Sequence, residues 1–148
     1  ITNVNGFKNC MCSEKNLAKA LAKMTYAFSN ATCAKVNLIT GEAYGSPYVF
    51  MNSKSIGADM VYAWKDAKIG MMDSTLAAKI MYPGAGAEEI KEKASEYEKL
   101  QSSVTAAAAR GYVDRIIEPA DTRKYLVAAF EMLYTKYVHE PEKKHGTK

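Results

Sequence analysis

The stretch VNLITGEAYGSPYVFMNSK, residues 36–54, constrains the fold of this chain more than any other. Its first five residues are a β-branched, apolar run typical of a buried strand, and its last seven have the character of the first turns of a helix. Between them, Gly41 and Gly45 permit backbone conformations that other residues resist. Pro47 fits the first turn of a helix, where its missing N–H would have no intrahelical partner. The pattern therefore predicts a buried strand, a tight turn and a helix.

Such a turn has a chemical use, because it leaves free backbone N–H groups at the start of the helix. Groups of this kind stabilise an oxyanion. An ordinary tight connection between a strand and a helix also explains the spacing. The residues of the turn by themselves leave both interpretations open.

The N-terminal part predicts a strand over residues 1–7 and then a helix capped by Ser13. One face of that helix is apolar and consists of Leu17, Leu21, Met24, Phe28 and Ala31. A strand, a helix and a second strand in this order normally form a right-handed crossover between parallel strands. The opening section therefore predicts an α/β fold.

The second half of the chain predicts three short strands and four helices. The strands cover residues 60–64, 68–72 and 112–117. The helices begin after a cap at Asp73 or Ser74, at residue 87, at residue 104 and after a cap at Asp121, with the second ending at residue 100 and the third at residue 109. On the last helix, a buried apolar stripe is expected at Leu126, Phe130, Leu133 and Tyr137.

At 148 residues, the chain is long enough for one domain with its own core. We expect residues 1–139 to form that domain and residues 140–148 to be a charged, disordered tail. Several of the lysines behind the net charge of +4 lie in the tail, and no basic patch with aromatic residues indicates nucleic-acid binding. Three cysteines without a disulfide spacing, and no apolar run of membrane-spanning length, predict a cytoplasmic protein.

Two longer motifs resemble one protein family. The first is AYGSPYVFMNSKSIGADMVYAW at residues 43–64, and the second is AAAARGYVDRIIEPADTRKYL at residues 106–126. They resemble the carboxyltransferase subunits of biotin-dependent acyl-CoA carboxylases and the related methylmalonyl-CoA and glutaconyl-CoA carboxyltransferases, in the family's order and roughly its spacing. The similarity covers nearly the whole chain but only the C-terminal half of the family's protein. Since the chain begins with Ile1 rather than Met, we expect an excised domain or one half of a larger body.

The resemblance implies an α/β fold of the crotonase or ClpP-like type, a spiral of β-β-α units, with this chain as a single half-domain. It also implies carboxyl transfer between carboxybiotin and the α-carbon of a short acyl-CoA, such as propionyl-CoA or methylmalonyl-CoA. Both reactants pass through enolate-like species whose oxygen is held by backbone N–H donors. The implied cofactors are biotin on a carrier protein and a coenzyme A thioester, with no metal in this domain.

The implied partners are an N-terminal carboxyltransferase half, in the same or a separate chain, a biotin carboxyl carrier protein, and further copies of this chain in a homo-oligomer. Nucleic acid and membrane insertion are not among them. This chain would supply the biotin-facing half of the site.

The family's pair of amide donors, a glycine and an alanine, falls on Ser46 and Pro47, which makes these the implied catalytic positions. Pro47 has no N–H, and loss of one such donor typically lowers the rate on the order of a hundredfold to a thousandfold. The resemblance further implies substrate contacts at Gly45, Tyr48, Val49 and Phe7. Val49 falls on the position that helps to choose acyl chain length in relatives.

Departures from the family pattern leave two other functions open. Besides Pro47, Lys65 replaces the family's proline after tryptophan, and Asp73 replaces a glycine. A catalytically degenerate subunit that only assembles is therefore the main alternative. A crotonase-like hydratase that acts alone on CoA esters is the third.

Two rival sites are weaker predictions. Cys10 and Cys12 form a C-x-C pair, but two thiolates do not complete a zinc site. Ser46 lies in a strand-turn-helix context typical of a nucleophile, but the second glycine of G-x-S-x-G is absent. Its base would have to be His139 or His145, at or beyond the end of the last helix.

Overall fold

The computed structural model of the protein describes residues 1–139, and the predicted tail at residues 140–148 lies outside the described residues. A parallel sheet of five strands forms its centre. The strands are β1 (Thr2–Val4), β2 (Val36–Tyr44), β3 (Met60–Trp64), β4 (Lys68–Gly70) and β5 (Arg115–Ile117). β2 pairs with β1 along one edge and with β3 and then β4 along the other, while β5 pairs with β3.

Six α-helices are described. They are α1 (Met11–Asn30), α2 (Gly45–Phe50), α3 (Ser74–Met81), α4 (Ala87–Tyr97), α5 (Val104–Ala109) and α6 (Thr122–Met132). Single 3₁₀ turns occur at Lys54–Ile56 and Pro119–Asp121, and a π-helical segment, Glu98–Ser102, follows α4. Within residues 1–139, no helix combines the length and the apolar character needed to cross a membrane.

Two apolar clusters hold the helices on the sheet. The larger one joins β2, β3 and β4 to α2 and α5, and includes Ile39, Val61, Ile69, Tyr48 and Ala107. The smaller one consists of Leu38, Tyr62, Ile117 and Ala129. Because successive side chains of a strand point to opposite faces, the neighbours Leu38 and Ile39 belong to different clusters. The larger cluster fixes α2 against the end of β2.

The strands occur where they are predicted, but most of their lengths differ. β2 continues through Gly41 to Tyr44, so the chain turns only at Gly45. Gly41 allows a close approach of β1 instead, because a Cβ there would stand 2.7 Å from Asn3 Oδ1. β1, β4 and β5 are shorter than predicted, since apolar residues extend a strand only where a neighbouring strand pairs with them.

Two of the three predicted helix caps are wrong. α1 begins at Met11, ahead of Ser13, and the side chain of its N-cap residue, Cys10, makes no capping hydrogen bond. Asp121 lies in a 3₁₀ turn and its side chain does not cap α6. Asp73 does cap α3, because its Oδ1 accepts hydrogen bonds from Thr75 N and Leu76 N at 3.0 and 3.1 Å.

Helix ends and helix faces account for the remaining differences. α2 covers residues 45–50 rather than 48–54, since Asn52 adopts a positive φ of 56° that ends the helix. α4 ends at Tyr97 and continues as the π-helical segment. The predicted buried stripe on α6 is wrong: Phe130 and Tyr137 are 50% and 85% exposed. Only Ala129 of α6 is buried, because the sheet meets one side of the helix; Leu126 is half-buried against the smaller cluster, and Phe130 lies on the exposed side.

Candidate functional site

The turn between β2 and α2 has a backbone that only glycine adopts easily. Gly45 has a φ of +62°, in the left-handed region. A Cβ at this position would also stand 3.1 Å from the main-chain oxygen of Met71, which is closer than most contacts of that type. The chain therefore passes from β2 into α2 at Gly45, where it is tightly packed on the segment after β4.

No side chain caps the first turn of α2. The N-cap residue, Tyr44, is extended and makes no capping hydrogen bond. The N–H groups of Gly45 and Ser46 have no intrahelical acceptor, as at the start of any helix. The next residue, Pro47, has no N–H at all. We call Gly45 and Ser46 the open turn, because their amides are the donors that the start of α2 can offer.

The open turn borders a cavity of about 450 Å³. We call it the site cavity. It is lined by Gly45, Ser46, Tyr48, Val49, Ser55, Ile69, Gly70, Met71, Tyr97, Gln101, Ala107, Arg110 and Tyr112. Its walls therefore come from α2, the end of β4, the end of α4 with the π-helical segment, and α5 with the residues after it. A larger groove of about 880 Å³ runs along α6, but none of its lining residues belongs to the site cavity.

Tyr48 lines the site cavity and carries a buried polar atom, its hydroxyl oxygen. Its side chain is 8% exposed, and its hydroxyl has no hydrogen-bond partner among the described residues. Burial, and to a smaller extent the nearby Tyr112 phenol, raises the pKa of Tyr48 to about 12. The hydroxyl is therefore a neutral hydrogen-bond donor at physiological pH.

Arg110 is the only charged residue that lines the site cavity within residues 1–139. Its Nη1 and Nη2 donate to the main-chain oxygens of Gln101 and Leu100 at 3.2 and 2.9 Å. These bonds hold the guanidinium against the end of the π-helical segment. None of the ion pairs found among the described residues involves Arg110, so its charge is available to a ligand.

The structure brings most of the predicted site residues together. Gly45, Ser46, Tyr48 and Val49 all line the site cavity. Pro47 is buried behind them in the first turn of α2. Phe7 lies elsewhere, in a groove that it shares with residues of α1, and it does not line the site cavity.

Within residues 1–139, neither rival site is assembled. No side chain within residues 1–139 hydrogen-bonds to Ser46, and His139 is exposed after α6, while His145 lies outside the described residues. Cys10 Sγ lies 3.2 Å from Ser13 Oγ, and this hydrogen bond lowers the pKa of Cys10. No group of three or more His, Cys, Asp or Glu residues able to hold a metal occurs in the described part of the chain.

Comparisons with known proteins show the family and the fold of this chain. The sequence matches the model of the carboxyl transferase domain over residues 1–147. It is 42% identical over 135 residues to the methylmalonyl-CoA carboxyltransferase 12S subunit of Propionibacterium freudenreichii subsp. shermanii, with 84% of this chain and 25% of that protein covered. It is 40% identical over 125 residues to the mitochondrial propionyl-CoA carboxylase beta chain of Rattus norvegicus, with 84% and 23% covered.

Among solved structures, transcarboxylase 12S, determined with methylmalonyl-coenzyme A and methylmalonic acid bound, matches with a TM-score of 0.91 and 39% identity. The match covers 98% of this chain and 29% of that one. The predicted family and the crotonase-type α/β fold are thus confirmed. The chain spans less than a third of the length of these relatives.

Proposed function

Since the chain belongs to the carboxyl transferase domain family, we propose that it supplies the biotin-facing part of an acyl-CoA carboxyltransferase site. In this proposal the N–H groups of the open turn donate to the ureido oxygen of biotin, where negative charge develops. The observation that carries the proposal is that these uncapped amides border the site cavity. Preplaced donors of this kind stabilise developing charge without reorganisation during the reaction.

The residues of the site cavity fit the head of biotin, which when carboxylated supplies the carboxyl group for transfer. Val49, Ile69 and Met71 provide apolar walls for a compact ring system. The amides of the open turn, the Ser46 hydroxyl and the neutral Tyr48 hydroxyl provide hydrogen-bond donors. Val49 remains our proposed selector of the acyl group, and Phe7, in its separate groove, is not part of this arrangement.

The proposal extends to partners that the chain would need. The complementary N-terminal half would bind the acyl-CoA thioester, and a biotin carboxyl carrier protein would deliver the biotin. The solved transcarboxylase 12S is described as a hexamer, and the exposed apolar stripe on α6 supports assembly of this chain as well. A cytoplasmic location remains a prediction, supported by three free cysteines.

Carboxyl transfer from carboxybiotin to propionyl-CoA tests the proposal. The chain should be assembled with a complementary N-terminal half and supplied with free or carrier-bound carboxybiotin. We expect transfer that depends on the presence of this chain. Absence of transfer in a verified assembly would remove the enzymatic claim.

Pro47 supports a second candidate, a degenerate subunit that only assembles, because it removes a donor from the turn. The double substitution Ser46→Gly and Pro47→Ala restores the family's pair and separates the two candidates. A gain in rate of about a hundredfold or more would favour the degenerate subunit. A loss of rate would favour a working variant turn in which the Ser46 hydroxyl replaces the missing donor.

A further inference from the structure

We propose that Arg110 and the Tyr48 hydroxyl form a carboxylate-binding site in the wall of the site cavity. The inference rests on the proposed function and deepens it, since the ligand would be the carboxylate that is transferred. That group arrives on biotin in one direction and on the carboxylated acyl-CoA in the other. Both sources present the same chemistry, a single anionic carboxylate beside a mainly apolar body.

The charge distribution of the cavity is the first argument. Its lining combines apolar and neutral polar side chains with one cation, Arg110. A guanidinium that lacks a carboxylate partner retains its full attraction for an anion, and its planar fork matches the geometry of a carboxylate. The two main-chain acceptors hold Arg110 through single N–H groups of Nη1 and Nη2, so other N–H groups of the fork are left for a ligand.

Tyr48 supplies an independent argument. A buried hydroxyl without a partner carries a desolvation cost that a protein usually avoids by providing a hydrogen bond. Tyr48 lines the site cavity and is nine-tenths buried, and no residue within 1–139 forms a hydrogen bond with its hydroxyl. Because its pKa is about 12, it donates a hydrogen bond and does not compete with the ligand as an anion. A carboxylate oxygen is the acceptor that suits this donor.

The test compares two ligands that differ by the carboxylate, methylmalonyl-CoA and propionyl-CoA, by calorimetry on the assembled protein without any biotin acceptor. We expect Arg110→Gln to weaken the binding of methylmalonyl-CoA about 10- to 100-fold, because a charge-assisted hydrogen bond is lost. The binding of propionyl-CoA should be unchanged. Arg110→Lys should recover part of the loss. Arg123→Gln, an exposed arginine of α6 outside the site cavity, is the matched control.

Tyr48→Phe separates ligand binding from a structural role. We expect about 3- to 10-fold weaker binding of methylmalonyl-CoA and no fall in the thermal midpoint of the free protein, since no described residue forms a hydrogen bond with the removed hydroxyl. Tyr62→Phe is the control, because Tyr62 is also nearly buried but belongs to the smaller cluster. A fall in the midpoint of Tyr48→Phe without a change in affinity would overturn the role of Tyr48.

Binding of the carboxylate carried by biotin requires a separate experiment. There the KM for carboxybiotin, with propionyl-CoA as acceptor, should rise in Arg110→Gln by a similar factor. If Arg110→Gln changes neither the affinity for methylmalonyl-CoA nor the KM for carboxybiotin while the wild type transfers carboxyl groups, this inference fails and the proposed function stands. If the wild type transfers nothing but distinguishes the two CoA esters through Arg110, the proposed function fails and the carboxylate site stands.

Discussion

Two helices of this protein differ at their starts: a side chain caps the first amides of α3, and none caps those of α2. At α3, the carboxylate of Asp73 accepts hydrogen bonds from Thr75 N and Leu76 N. At α2, no side chain caps the amides of Gly45 and Ser46. Both helices follow a strand of the same parallel sheet, so the difference lies in the residues and not in the architecture. The uncapped start is the one that borders the site cavity.

The amino ends of the strands resemble the α3 start. Before β3, Asp59 Oδ2 accepts from Lys35 N at 2.7 Å and from Lys136 Nζ at 2.8 Å. Before β5, Asp114 accepts from Val61 N and forms an ion pair with Lys54. At these places the chain satisfies main-chain amides with its own carboxylates. Among the described helices, α1, α4 and α6 also begin without a side-chain cap, but α2 is the uncapped start that borders the site cavity.

The largest expected effect comes from closing the open turn with a carboxylate. Ser46→Asp places a negative charge beside the amides and should lower the rate of carboxyl transfer about a hundredfold, the cost of losing an oxyanion donor. The rate is measured in the assembled protein. Thr75→Asp introduces the same charge at the second residue of α3, as Ser46→Asp does in α2, and should leave the rate unchanged. Equal losses in both variants would show that general charge, not the open turn, matters.

The next effect is on stability, at the amino edge of the sheet. Burial alone would raise the pKa of Asp59, but hydrogen bonds from Lys136 and from Lys35 N, with the charges of both lysines, lower it overall. A lowered folded-state pKa means stability that is present above the unfolded pKa and lost as pH falls through the folded one.

We therefore expect Asp59→Asn to lower the free energy of unfolding by roughly 1.5–3 kcal/mol at pH 7. The gap to the wild type should close as the pH falls below about 4. Urea denaturation at several pH values measures the loss of unfolding free energy at pH 7 and its decrease at low pH. Glu88→Gln breaks an exposed ion pair and should change neither the free energy of unfolding nor its pH dependence. A gap that stays constant down to low pH would show that the ionised carboxylate is not its source.

The smallest effect is expected at the capped helix. Asp73→Ala should lower the free energy of unfolding by about 1 kcal/mol, because Thr75 N and Leu76 N lose their acceptor. Asp73→Asn keeps a side-chain oxygen at the cap and should retain most of the stability. Carboxyl transfer should remain within about twofold of the wild type in both variants. A large loss of activity at unchanged stability would move Asp73 into the functional site.

The sequence predicted the bounds of a helix well where cap or turn residues mark both of its ends. The helix at 104–109 has the predicted bounds, because Ser103 caps its start through Ala106 N and Gly111 adopts a left-handed backbone after its end. Bounds that depend on distant neighbours were not predictable in this way. The local sequence predicts a turn at Gly41, but Gly41 lies within β2 and allows Asn3 to pack closely against that strand.

The candidate site likewise has a part that the sequence predicted and a part that it did not. Gly45, Ser46, Tyr48 and Val49 are contiguous, so the family-like motif revealed them together. Arg110 lies in the second motif, yet nothing in its sequence context says that α5 packs beside β4 and carries it to the open turn. The apolar face of α6 has a helical period whether its neighbour is this chain or another, which is why its burial was wrongly expected.

The most direct test of the account observes the amides themselves. The chain, labelled with nitrogen-15, is titrated with biotin while the chemical shifts of the Gly45, Ser46, Thr75 and Leu76 amides are followed. We predict that the Gly45 and Ser46 amides shift and saturate together, while those of Thr75 and Leu76, already bonded to Asp73, do not move. Equal shifts at both helix starts, or an unmoved open turn at saturating biotin, would contradict the account.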